Sequence, residues 1–113
     1  MSLALHEILE SLYGVKTYPR ENDPAQVVGV DPEIIAHNHP MRASLLVINM
    51  SGNVMAMGLT HEVAVLTHGI ILAPNGGNLL LQWDRDFELV TDEWWIVAGG
   101  AASPVYMLEN ILQ

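Results

Sequence analysis

His37 and His39, flanking Asn38, are the residues whose types and spacing come nearest to reactive chemistry in this chain. Two side chains two apart on a strand point to one face, where paired imidazoles can hold a divalent cation. His61 and His68 are available as further ligands. The competing reading is a loop whose histidines are solvated or bonded to backbone, because Pro40 follows the pair and interrupts a strand.

Asp84, Asp86, Glu88, Asp92 and Glu93 form the one dense acidic stretch. Paired carboxylates can perform acid–base work or hold a cation. These five sit among Trp83, Phe87 and Leu89, which favours a solvated strand edge that resists aggregation. Gly76-Gly77 lacks the GxxxxGK[ST] pattern and a following helix, so it is no phosphate loop. Ser44, Ser51, Thr60, Thr67 and Ser103 lie in no GxSxG context. With no cysteine in the chain, disulfides, thiolate metal sites and cysteine nucleophiles are excluded.

The totals point the same way. A chain of 113 residues fits one domain. Half of it is hydrophobic and 15% is charged, a high apolar share for so small a domain, which leaves surface to bury against another chain. The net charge is −9, and the four basic residues, Lys16, Arg20, Arg42 and Arg85, are scattered. No basic stripe exists to neutralise phosphates, so neither direct nucleic-acid binding nor adsorption to an anionic membrane is expected. The N-terminus has acids and no basic region, so it does not read as a signal peptide. No apolar run reaches a membrane-spanning length.

The elements that must position these residues are mostly strands. Leu5, Ile8, Leu9 and Leu12 fall at helical spacing, with Ser2 as a cap and Gly14 beyond the end, which predicts a short amphipathic helix over 3–13. Residues 16–26, with Pro19 and Pro24, read as a flexible arm. After a short run at 27–30, residues 31–40 read as a helical turn or irregular crossing. Residues 44–50 and 54–58, joined by Ser51-Gly52-Asn53, read as a hairpin. Further strands are predicted at 63–66, 69–73, 78–83, 87–90, 94–98 and 105–108. The expectation is a mainly β protein: an antiparallel β-sandwich or small barrel over 27–113, preceded by a helix and extended arm over 1–26, in one globular unit. Trp94 and Trp95 must face opposite sides of their strand. One belongs to the core, and the other faces outward or into an interface, or lies under a second apolar layer such as the N-terminal helix.

Two resemblances bear on function. The His37/His39 pair is superficially similar to that of the metal-binding cupins, which are β-barrels. Their pattern continues with a Glu shortly after the pair; here Pro40, Met41, Arg42, Ala43, Ser44 and Leu45 follow. The stretch from Arg42 to Glu109 resembles the small β-sandwich virion accessory proteins of tailed bacteriophages. Arg42 and LLVIN at 45–49 are followed by VMAMGL at 54–59, GIILAPNGGNLLLQW at 69–83, DFELVTDEWWIVAGG at 86–100 and PVYMLE at 104–109. This sequence departs from that pattern in having Asn75 before the glycine pair, and residues 1–41 have no counterpart in it.

The second resemblance implies a non-enzymatic virion protein without cofactors, most readily a capsid decoration or cement protein. Its partners would be further copies of itself and a major capsid protein or another virion protein. Trp94, Trp95, Tyr18 and Arg20 are the candidate contact residues. The alternatives are a cupin-like metal-dependent enzyme or ligand binder using His37 and His39, and an acidic inhibitor or nucleic-acid mimic.

Overall fold

The computed structural model describes residues 17–21, 26–65 and 67–112. The helix expected at 3–13 lies outside them. The strands are β1 (Thr17–Glu21), β2 (Gln26–Val28), β3 (Glu33–Ala36), β4 (Arg42–Asn49), β5 (Met55–Gly58), β6 (Ile70–Leu72), β7 (Asn78–Gln82), β8 (Trp94–Ala98) and β9 (Ser103–Leu112). A helical turn α1 (Trp83–Asp86) and a 3-10 turn (Phe87–Val90) connect β7 to β8. One sheet runs β1-β9-β4-β7, with β2 also on β9, and the other runs β3-β8-β5-β6. All the strand pairs are antiparallel. The expected β-sandwich is therefore the fold.

Burial follows the two-residue period of a strand. β9 alternates buried and half-buried residues along its whole length, and β4 does so from Ala43 onward. Leu45, Val47, Val105 and Met107 meet Met55, Met57, Trp94 and Ile96 from the other sheet in one core. β5 and β8 lack that alternation because their outer face is covered too. Val63, from the excursion between β5 and β6, joins Ala56 and Val97 there, with Val65 and Trp95 packed against them. A strand buried on both faces reads as a continuous apolar run.

Several sequence expectations meet a different outcome. Residues 44–58 do not form a hairpin, since β4 and β5 belong to different sheets. Asn49 causes the divergence. Its fully buried amide Nδ2 donates to the Asn53 carbonyl at 2.7 Å and the Leu72 carbonyl at 3.1 Å. Its Oδ1 accepts from the Ser51 N–H at 2.9 Å and the Ser51 hydroxyl at 2.7 Å. The amide thus uses its two donors and two acceptor sites to hold a turn that carries the chain across the sandwich.

Residues 63–65 form no strand; Ala64 makes only an isolated bridge with His68. Residues 87–90 are a 3-10 turn rather than a strand, because Phe87 has φ 56° and breaks the extended run. Residues 33–36, expected as a turn or crossing, pair with β8 through a bulge. Within the stretch read as a flexible arm, residues 17–21 are a strand paired along the end of β9.

Candidate functional site

The two Args at the start of the chain's β-structure converge on one carboxylate. Glu109 is 1% exposed. Its Oε2 accepts from Arg42 Nε at 2.8 Å and its Oε1 from Arg20 Nε at 2.7 Å. Arg42, itself 2% exposed, also donates to the carbonyls of Val90 at 3.1 Å, Asp92 at 3.3 Å and His37. Burial lowers the Arg42 pKa, and the Glu109 carboxylate opposes that shift. A single guanidinium thus ties β4 and β9 to the loops at 37–39 and 90–92. His39 N–H donating to the Thr91 carbonyl at 2.9 Å reinforces the same junction.

Arg42 of this clamp is among the residues that line an apolar groove of about 840 Å³ at the end of the first sheet. Trp83, Phe87, Leu89, Leu112 and Pro40 are among its walls. Trp83 and Leu89 are exposed, and Phe87 is 75% exposed. Phe87 also occupies a backbone region that non-glycine residues avoid, at a cost of about 1–3 kcal/mol. Asp86 shapes the neighbouring turn. Its Oδ2 accepts the Gln82 N–H at 2.8 Å, and this bond, followed by Arg85, holds its carboxyl below the usual range. Arg85 in turn caps the Leu80 carbonyl at 2.6 Å, on the edge strand β7.

A second surface has a different character. β6 is the edge of one sheet and β7 the edge of the other, joined by the turn at 73–77. Ile70, Ile71 and Leu80 are exposed there. Residues 63–82 contain no Asp, Glu, Lys or Arg, although the chain carries −9 overall. Soluble monomers commonly protect strand edges with charge, proline or a bulge. In the turn, Gly77 has no room for a side chain, since a Cβ would lie 2.2 Å from Ala73 N. This charge-free run is visible in the sequence as a gap in the charge pattern; strand-by-strand reading passes over it.

The histidines fall apart as a site. His37 is exposed and lies beyond the end of β3, and His39 Nδ1 accepts the Met41 N–H at 3.3 Å. His61 stacks edge-on against Trp95, with centroids 6.0 Å apart, and His68 is exposed. Among the described residues no three His, Asp or Glu side chains are placed to share a metal ion.

The aromatic and arm residues also acquire definite places. Trp94 is a core residue, 3% exposed, and its ring N–H donates to the Leu89 carbonyl at 2.9 Å. Trp95 is half-buried under the excursion at 59–69 and donates to Glu93 at 3.0 Å. The second covering layer therefore comes from this chain's own loop. Arg20 belongs to the clamp, while Tyr18 is exposed in β1. The acidic stretch follows the two turns between β7 and β8 rather than a strand edge.

No family model matches the chain, and no curated protein matches it. A solved structure from Bacillus, described as "Bacillus endospore appendages form a novel family of disulfide-linked pili", is similar in outline. It shares 11% identity over 98% of this chain and 96% of that one, with a TM-score of 0.49. At that level the likeness carries no functional argument.

Proposed function

We propose that this chain is a non-enzymatic structural protein that assembles with copies of itself through the β6–β7 side of its sandwich. The observation that carries this reading is the uncharged run at 63–82, which exposes Ile70, Ile71 and Leu80 on a chain of net charge −9. Acidic copies repel one another over most of their surface, and an uncharged apolar side is where that repulsion is least and the hydrophobic gain greatest. Ile70, Ile71 and Leu80 are 42%, 44% and 39% exposed, so covering what remains of each contributes about 1 kcal/mol, and all three on both partners give a transient pair.

The finer form of the proposal is that the assembly is a decoration or cement layer on a tailed-phage capsid, with a major capsid protein as the second partner. Its support is the resemblance from Arg42 to Glu109. Arg42, Asn49 and Glu109 of that pattern are the buried polar residues that build the clamp and the crossing turn. The shared pattern thus describes how this sandwich is held together.

Sedimentation velocity over a range of protein concentrations tests the assembly. Concentration-dependent dimers or higher species support it, and a strictly monomeric chain overturns it. The genes flanking the coding sequence test the capsid placement: a major capsid or portal gene agrees with it, and a metabolic operon contradicts it.

A further inference from the structure

We infer that copies of this chain join by antiparallel pairing of β6 with β6 of a second copy, centred on Ile71, so that the sheet β3-β8-β5-β6 runs on into its counterpart. This pairing rests on the assembly reading above and adds to it the edge, the partner segment and the register.

Backbone groups of successive residues alternate between the two sides of a strand. The Val54 carbonyl accepts the Gly99 N–H at 2.8 Å, on the β8 side of β5. Ala56, two residues on, faces β8 as well, so Met55 and Met57 turn their backbone groups to β6. Their register partners are Leu72 and Ile70. Ile71, between these two, therefore directs its N–H and carbonyl away from β5. β6 is the last strand of its sheet, and among the described residues no strand stands on that side. Adding a strand to such an edge is a general mode of recognition.

The neighbouring edge of the other sheet is closed. Asn49 donates to the Gly77 carbonyl and accepts from the Gly76 N–H, both at 2.8 Å. Leu45 and Val47 face the same way, towards their partners Leu81 and Leu79 on β7, which leaves Leu80 and Gln82 facing outward. The Leu80 carbonyl accepts from Arg85 Nη2 at 2.6 Å, and the Gln82 N–H donates to Asp86 Oδ2 at 2.8 Å. Arg85 Nε donates to the same Asp86 oxygen at 3.3 Å. Two charged side chains thus stand where the backbone of a further strand would lie. The far edges are protected too, by Pro19, Arg20 and Glu21 in β1 and by Glu33 and a bulge in β3. Ile70, Ile71 and Leu72 of β6 include no charge and no proline, and their register with β5 has no bulge. One open edge on each copy gives a closed pair about a two-fold axis.

Charge selects a second copy as the occupant. With Ile71 opposite Ile71, Ile70 lies opposite Leu72 and Gly69 opposite Ala73 of the second copy. The uncharged run at 63–82 then lies against itself, and like charges are not brought face to face. Ile70 is exposed and shares the sheet face of the buried Leu72, so the pairing carries the core across the junction.

Sedimentation velocity on the native chain, Ile71→Val and Ile71→Pro tests the pairing. Valine keeps the outward N–H. Proline removes it, and an edge position whose N–H faces solvent accepts that ring. The two-fold loses two hydrogen bonds in Ile71→Pro, so association should be about 10-fold or more weaker than in Ile71→Val, with far-UV dichroism unchanged. Equal association of the two variants overturns the β6 pairing and leaves the assembly reading standing. A native chain that stays monomeric removes both.

Cross-linking covers a proline variant that disturbs folding. The chain contains no cysteine, so Ile71→Cys and Gln82→Cys report without background. Each is treated with a short bismaleimide at a concentration where the native chain associates. The covalent dimer should form several-fold more readily at position 71. An equal or greater yield at position 82, on the β7 edge, overturns the inference.

Discussion

Replacing Glu109 by Gln keeps the shape of the side chain and removes its charge. In the structure Arg42 is 2% exposed, and Glu109 is the anion it pairs with. Leaving one member of a buried pair uncompensated costs about 3–5 kcal/mol. A domain of this size has about 5–15 kcal/mol of total stability. At about 4 °C per kcal/mol, the melting temperature of Glu109→Gln should fall by about 12–20 °C. Arg20 bonds the same carboxylate, but its side chain is 56% exposed. Solvent screening reduces the contribution of such a pair to about 0–1 kcal/mol, so Arg20→Gln should cost no more than that.

The double variant Arg42→Met/Glu109→Leu removes the charges together. It should recover the charge cost of Glu109→Gln and retain the loss of donors to the carbonyls of Val90, Asp92 and His37, of which the buried Val90 carbonyl accounts for about 1–3 kcal/mol. Urea unfolding followed by tryptophan fluorescence measures all three. A Glu109→Gln cost within 1 kcal/mol of Arg20→Gln, on the scale of an exposed pair, would refute the clamp as the junction of β4, β9 and the two loops.

Asn49→Ala should cost about 2 kcal/mol or more in the same assay, because it strands buried backbone groups of the crossing turn, among them the Leu72 carbonyl; a neutral outcome contradicts the role assigned to the amide. Trp94→Ala should cost about 3–5 kcal/mol, with Trp95→Ala clearly less, since Trp94 is in the core and Trp95 is half-buried under a loop; the reverse order in urea midpoints would contradict the assignment of faces. Asp86 has a lowered pKa in the folded state. Its stabilising effect is complete above its unfolded value of about 3.9 and is lost as pH falls through the lower folded value. The stability difference between the native chain and Asp86→Asn should therefore be constant from neutral pH to about 5 and shrink below about 4, and a difference that grows on acidification would contradict it.

The strands whose burial alternates were legible in the sequence, as were those bounded by strong turns. β4, β7 and β8 fall within a residue or two of their predicted limits. Partnership was not legible. The turn after β4 has hairpin composition, and only the buried bonds of Asn49, whose acceptor at Leu72 is far along the chain, show that it crosses between sheets. The 87–90 run has strand composition, but the backbone at Phe87 and the Asp86 bond to Gln82 impose turns. The clamp joins residues 67 positions apart, a relation that periodicity does not carry. β5 and β8 are recognisable as apolar runs, yet the loop covering their outer face has strand composition, because local composition does not tell a covering layer from a paired one. Among the candidate site residues, Trp94 and Trp95 were correctly assigned to opposite faces, and which of them was the core residue depended on where the 59–69 excursion packs.

Assembly through the uncharged side is the central claim, and inserting charge there tests it most directly. Ile71→Lys places a cation on the exposed edge of β6 without touching the core, the clamp or the groove. Sedimentation of the native chain should show concentration-dependent association that strengthens with added salt, as screening relieves the repulsion between acidic copies. The variant should keep the native chain's far-UV dichroism and unfolding midpoint and sediment as a monomer. Association that persists unchanged in Ile71→Lys, or a native chain that is monomeric at every concentration, would contradict the account.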